Sequence, residues 1–163
     1  MKKNNLVTAL MGLIGFAMLM DFVLLISSPW WLKLAFDEGY KSILPIYERG
    51  YYNAGPSGKY AAMLVFIIFC GAVIFFALSE GLKILYNIRK GEPFCIDNSR
   101  GFFRAAIYAF IITAAFFVKM FFSASFLTLV CVCFLFAGGL LLLVLSELFK
   151  LAAKIKEENE LTI

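Results

Sequence analysis

The groups able to do chemistry are few in this chain of 163 residues, which contains no histidine. Their positions narrow what that chemistry could be. Asp21 interrupts an apolar run toward its end, where an ionisable group is costly and meets either a partner or a wet cavity. Lys119 lies at a similar depth in a later apolar run, so Asp21 and Lys119 are expected to form an intramembrane pair. The functional alternative is a proton or cation site at Asp21. Glu80 and Glu147 each precede a lysine by three residues (Lys83, Lys150), a spacing that puts both groups on one helix face. Local ion pairs are the better reading than a metal site, because no Glu-x-x-His accompanies the carboxylates. Cys70, Cys95, Cys131 and Cys133 contain no Cys-x-x-Cys, and Cys131 and Cys133 diverge by about 200° around a helix. They read as small apolar side chains. Without histidine there is no imidazole base, ligand or pH switch. No phosphate-cradling glycine loop, dinucleotide fingerprint or nucleophile elbow is present. No catalytic residue, metal ligand set or cofactor is therefore expected, and the chain reads as non-enzymatic.

The elements that position these groups follow from composition. Hydrophobic residues make up 63% and charged residues 16%, against ~45–50% and ~25% in soluble domains. A bilayer core of ~30 Å needs about 20 apolar residues per helical span. Four runs meet this, over residues 6–28, 60–78, 102–122 and 126–145. They lack the period-two alternation of a membrane barrel. The expected fold is an all-α polytopic membrane protein, one transmembrane domain over 1–163. Its parts are a hairpin over about 1–91, an inner loop over about 92–100 and a hairpin over about 101–163. Nothing breaks helix from residue 58 to 90 or from 126 to 158, and 33 residues at 1.5 Å each run to ~50 Å. Helices two and four should therefore outrun the bilayer on the cytoplasmic side. A weak repeat joins them: Leu78-Ser79-Glu80-Gly81-Leu82-Lys83 matches Leu145-Ser146-Glu147-Leu148-Phe149-Lys150, and Gly71 matches Gly138 at the same offset. Gly71, Gly138 and Gly139 are expected to allow close helix packing.

Orientation follows the excess of Lys and Arg on the cytoplasmic side. With the N-terminus inside, ten of the 15 basic residues lie in cytoplasmic segments and five in outer ones. Both termini are thus expected in the cytoplasm, and the protein in a bacterial cytoplasmic membrane. The opening Met-Lys-Lys-Asn-Asn has the outline of a signal peptide, but the length of the run, Asp21 and the lack of a small-x-small site favour a retained span. The outer connection, from Pro29 to Lys59, carries Trp30, Trp31, Tyr40, Tyr47, Tyr51 and Tyr52, suited to the membrane–water boundary. Trp30–Phe36 could form a short interfacial helix. Gly55-Pro56-Ser57-Gly58 reads as a turn feeding the second span. A membrane-hugging connection is favoured over a ligand-sensing lid.

Two further segments are expected on the cytoplasmic side, Lys90-Gly91-Glu92-Pro93-Phe94-Cys95-Ile96-Asp97-Asn98 and the terminal Lys156-Glu157-Glu158-Asn159-Glu160-Leu161-Thr162-Ile163. With four spans between and around them, they resemble the bacterial family called domain of unknown function 2975. Its pattern is a Gly-x-Pro-Phe-…-Asn inner loop and a Glu-x-Asp-Leu-Thr-Ile/Val tail, with Glu160 here in place of Asp. The resemblance implies a small four-helix integral membrane protein and, by genomic company, a nearby helix-turn-helix regulator of the Cro/C1 type. The expected function is regulatory: sequestering or modulating such a cytoplasmic regulator through the loop and tail.

From the residues themselves, Pro93 ends the long second helix and Phe94 can tuck between helix ends. Asp97, Asn98 or Ser99 can cap the third helix. The acidic tail should fold back onto Arg89, Lys90, Arg100 or Arg104, or else meet another protein. Partner-binding candidates are Pro93, Phe94, Asn98, Glu157, Glu158, Asn159, Glu160, Leu161 and Thr162. The basic residues at the helix ends are expected to touch membrane lipids, and the chain leaves room for a homo-oligomer. Direct nucleic-acid binding is not expected, because the basic residues are interleaved with lipid-facing helix. The competing reading is a small transporter, channel-like or immunity-type protein using Asp21 and the outer loop.

Overall fold

A computed structural model describes residues 2–36, 56–122 and 126–160 of the protein. Tyr40, Tyr47, Tyr51, Tyr52, Leu161 and Thr162, all singled out above, lie outside the described residues. Four helices make up the fold: α1 (Lys2–Phe36), α2 (Pro56–Arg89), α3 (Ile96–Phe122) and α4 (Phe126–Glu160). Each is long and apolar enough to cross a membrane. The protein is an all-α, multi-pass membrane protein.

Helix α1 is longer than its apolar run because Pro29 does not stop it. A proline in a helix lacks the N–H that would reach the carbonyl four residues back. Here Ser28 Oγ donates to Leu25 O at 2.8 Å, so that carbonyl is satisfied. The carbonyl of Pro29 itself accepts from Tyr60 OH at 3.0 Å. Trp30–Phe36 is therefore a continuation of α1, not a separate interfacial helix. Pro56, by contrast, sits at the first residue of α2, where its missing N–H has no intrahelical partner to lose.

The order of packing is linear. Helix α1 lies on α2, α2 on α3 and α3 on α4; no other helix pair touches among the described residues. The two hairpins thus form an open row of antiparallel neighbours, with α1 and α4 at its edges. Glycines set two of the close approaches. A Cβ on Gly71 would strike Leu25 of α1, and one on Gly139 would come within 2.9 Å of Phe110 Cε1 on α3. Gly138, the glycine that the repeat pairs with Gly71, faces open space. Its neighbour makes the contact instead.

Helix α2 ends in a hydrogen-bonded C-cap. Gly91 has φ +90; its N–H bonds Ile88 O, and the Glu92 N–H bonds Asn87 O, both at 3.1 Å. This is the Schellman arrangement, in which a left-handed glycine lets two bonds satisfy the last carbonyls. Pro93 follows, and the chain turns into α3 after a connection of only residues 90–95. That is shorter than expected, because Ile96–Arg100 is already helix.

Candidate functional site

The chemistry-bearing residues gather at the end of the row that holds this short connection. Asn98 is completely buried. Its Nδ2 donates to Pro93 O at 2.8 Å and its Oδ1 accepts from Asn87 Nδ2 at 2.8 Å. Asn98 is therefore no helix cap: its side chain clasps the loop to α2. The Cys95 carbonyl begins α3 by accepting the Asn98 N–H, and exposed Asp97 lies in the first turn, where the helix dipole favours a carboxylate. Ser99 serves a different purpose from capping as well. Its Oγ donates to Ser146 O, and Ser146 Oγ donates to Ser99 O, both at 2.9 Å, which pins α3 to α4.

Removing the clasp leaves the half-buried Asn87 amide and Pro93 carbonyl without it, a loss of about 1–3 kcal/mol. Asn98→Ala is expected to lower the thermal midpoint in detergent and to open residues 90–95 to protease. A cleavage pattern matching that of the unaltered protein would show that the clasp does not hold the loop.

Phe94 does tuck between helix ends. Its ring lies 5.7 Å from that of Phe149 on α4, and Phe149 lies 4.9 Å from Phe102. About half of Phe94 stays exposed. Pro93 is half-buried.

Glu80 is the centre of the second cluster. Its side chain is only 5% exposed, a position that a carboxylate tolerates when it is paired and hydrogen-bonded. Lys83 Nζ reaches Oε1 at 2.7 Å, as the sequence spacing suggests. Arg104 on α3 donates to Oε2 from Nε at 3.0 Å and from Nη2 at 2.7 Å. Sequence reasoning missed this partner. Its repeat counterpart Glu147 is exposed and only loosely paired with Lys150, at 3.6 Å. The difference comes from the row: α3 offers an arginine to α2 but a serine to α4.

Helix α4 outruns the rest. Phe149 is level with the loop, and the residues from Lys150 to Glu160 continue for about 16 Å beyond it. Along this end Leu148, Leu151 and Ile155 are all exposed, at 55%, 58% and 50%. A groove of about 430 Å³ beside them is lined by Ile96, Glu147, Lys150, Leu151, Lys154 and Glu157 among others.

With this geometry in place, a family model described as "Protein of unknown function (DUF2975)" matches residues 6–163. The chain belongs to the DUF2975 family. No curated protein and no solved structure matches it.

In this DUF2975 member the sequence-derived candidates divide. Pro93, Phe94 and Asn98 come together at one end of the row. Glu157, Glu158 and Asn159 are exposed on the α4 extension, where Glu158 lies 3.8 Å from Lys154; Glu160 is its last helical residue. The described tail stays helical and does not fold back onto the loop. Three of the four basic residues expected to receive it have other contacts: Arg104 holds Glu80, Arg100 lies 3.6 Å from Asp97, and Lys90 stands 4.5 Å over the Tyr86 ring. Asp21 and Lys119 are not brought together, because α1 and α3 do not touch. Lys119 Nζ lies 5.5 Å from the Phe66 ring centroid, and Asp21 Oδ2 is buried without a hydrogen-bond partner. Among the described residues no cluster of acidic or cysteine side chains could hold a metal ion.

Proposed function

We propose that this DUF2975 protein is a non-enzymatic regulatory membrane protein that holds a soluble helix-turn-helix transcription regulator at the membrane surface. The loop end of the row faces the cytoplasm of a bacterial cell in this reading, as the distribution of Lys and Arg favours. The observation that carries it is the solitary extension of α4. Leu148, Leu151 and Ile155 lie one helical turn apart on a face that no other helix of the row covers. Counted from Phe126, about 20 residues cross a ~30 Å core and end near Leu145, so in this reading lipid tails do not cover the three. An amphipathic helix of a soluble partner can, laying its apolar stripe along theirs. Lys150, Lys154 and Glu157 at the groove would set the partner's register by charge.

Affinity capture in mild detergent tests this. An identified DNA-binding protein should be retained by the intact chain and lost with Leu151→Glu or Ile155→Glu, whose side chains are exposed and do not support the fold. Deleting residues 157–163 should weaken capture. Retention unchanged by all three variants would overturn the reading. The buried, unpartnered oxygen of Asp21 favours the transporter or channel reading. There, Asp21→Asn would abolish flux while the α4 variants would leave it intact.

A further inference from the structure

We propose that the cleft at the loop end of α1, α2 and α3 binds the phosphate group of an anionic phospholipid. Lys83 and Arg104 are its binding residues, and Glu80 is the group that positions them. The cleft exists because α1 and α3 both pack on α2 but not on each other, which leaves a strip of α2 uncovered. Its volume is about 490 Å³, within the usual range for small-ligand sites. Met11 comes from α1, Glu80, Lys83 and Tyr86 from α2, and Gly101 and Arg104 from α3.

Three observations point to phosphate. Glu80 uses its two oxygens on two different cations, so Lys83 Nζ and Arg104 Nη2 are held one carboxylate apart. Only one hydrogen of the ammonium and two of the guanidinium face Glu80, out of three and five. The others remain for a ligand, and both side chains are well exposed, at 64% and 45%. The charges also favour an anion, since the trio carries a net positive charge. Asp97, the other carboxylate lining the cleft, is paired with Arg100.

Depth points to a lipid as the source. Counting from Tyr60, 20 residues of α2 bring the chain about 30 Å to Glu80, the thickness of the hydrocarbon core. The two cations therefore stand at headgroup level. Met11 and Leu82 line the same cleft, apolar surface that an acyl chain can follow and free phosphate cannot use.

The sequence repeat supplies the control. Lys150 follows a glutamate by three residues as Lys83 does, in a looser pair, but lies outside the cleft. Protein purified in detergent with equal parts of phosphatidylglycerol and phosphatidylcholine would be released from micelles and weighed by native mass spectrometry. The intact chain should retain phosphatidylglycerol selectively. Lys83→Gln should cut that retention about fivefold, as expected for one basic contact to an anionic lipid. Lys150→Gln should leave it unchanged, and Arg104→Lys should reduce it while keeping the charge on Glu80. Equal loss with Lys83→Gln and Lys150→Gln would overturn the proposal in favour of diffuse attraction. Stripping of the lipid by excess inorganic phosphate would overturn the assignment to a lipid. Retention of phosphatidylglycerol by both cleft variants at the level of the intact chain would remove the site altogether.

Discussion

Glu80→Gln is expected to destabilise the protein by about 2–4 kcal/mol, and adding Arg104→Gln to recover part of the loss. Breaking a buried ion pair from one side costs about 3–5 kcal/mol because a charge is left without its partner. The lower range applies here, since Arg104 and Lys83 keep contact with water or headgroups. The single change also removes the link that Arg104 makes from α3 to α2. In the double variant no guanidinium is stranded, so the two changes are strongly non-additive. Unfolding in a denaturing detergent titration, run on both single variants and the double, measures the coupling. If the two single losses simply sum, the pair does not join the helices. Glu147→Gln, the same change at the repeat-related position, should stay within about 0.5 kcal/mol, because that side chain is exposed.

The second large effect is steric. Gly139→Leu is expected to cost about 2–3 kcal/mol, in the range of overpacked interiors. Even the first added carbon would lie 2.9–3.2 Å from three atoms of the Phe110 ring. That ring has little freedom to retreat, since it packs edge-on against Phe136 at 5.7 Å. Gly138→Leu places the same side chain one residue earlier, where nothing lies within 4 Å, and should leave stability unchanged. Pairing Gly139→Leu with Phe110→Ala should restore much of the loss. Helix propensity favours leucine over glycine at both positions, so equal destabilisation by the two variants would mean that the α3–α4 approach at Gly139 does not govern the loss.

The spans and their approximate lengths could be read from the sequence, because 20 or more apolar residues leave a chain in a bilayer few options. The end of α2 was equally plain, with Gly91 and Pro93 in the order that stops a helix. Neighbour relations were harder to read. Helices that are apolar on every side carry no stripe that says which face meets protein and which meets lipid, so the pairing of Asp21 with Lys119 rested on depth alone. Depth does not fix which helices touch. Arg104 could have been found by another route. A tight antiparallel connection centred near residue 92 makes positions equidistant from it face each other. That rule opposes Asn87 to Asn98 and Glu80 to Arg104. Asn98 is one of three residues whose type suits a cap, whereas its burial against the loop depends on a tertiary contact that no local pattern reveals. Pro29 misled for the opposite reason. A neighbouring serine quietly repairs the bond it breaks.

The open row also bears on how the protein is made. Among the described residues every helix interface joins a helix to the one synthesised just before it, and no contact waits for the last helix to find the first. Interactions this local in sequence form quickly and need no long-range search. Each span can be fitted to its predecessor as it leaves the ribosome, and the first hairpin is complete before α3 is translated. Arg104 lies only about two and a half turns past the loop, so the partner of Glu80 is among the first residues of the second hairpin to be made.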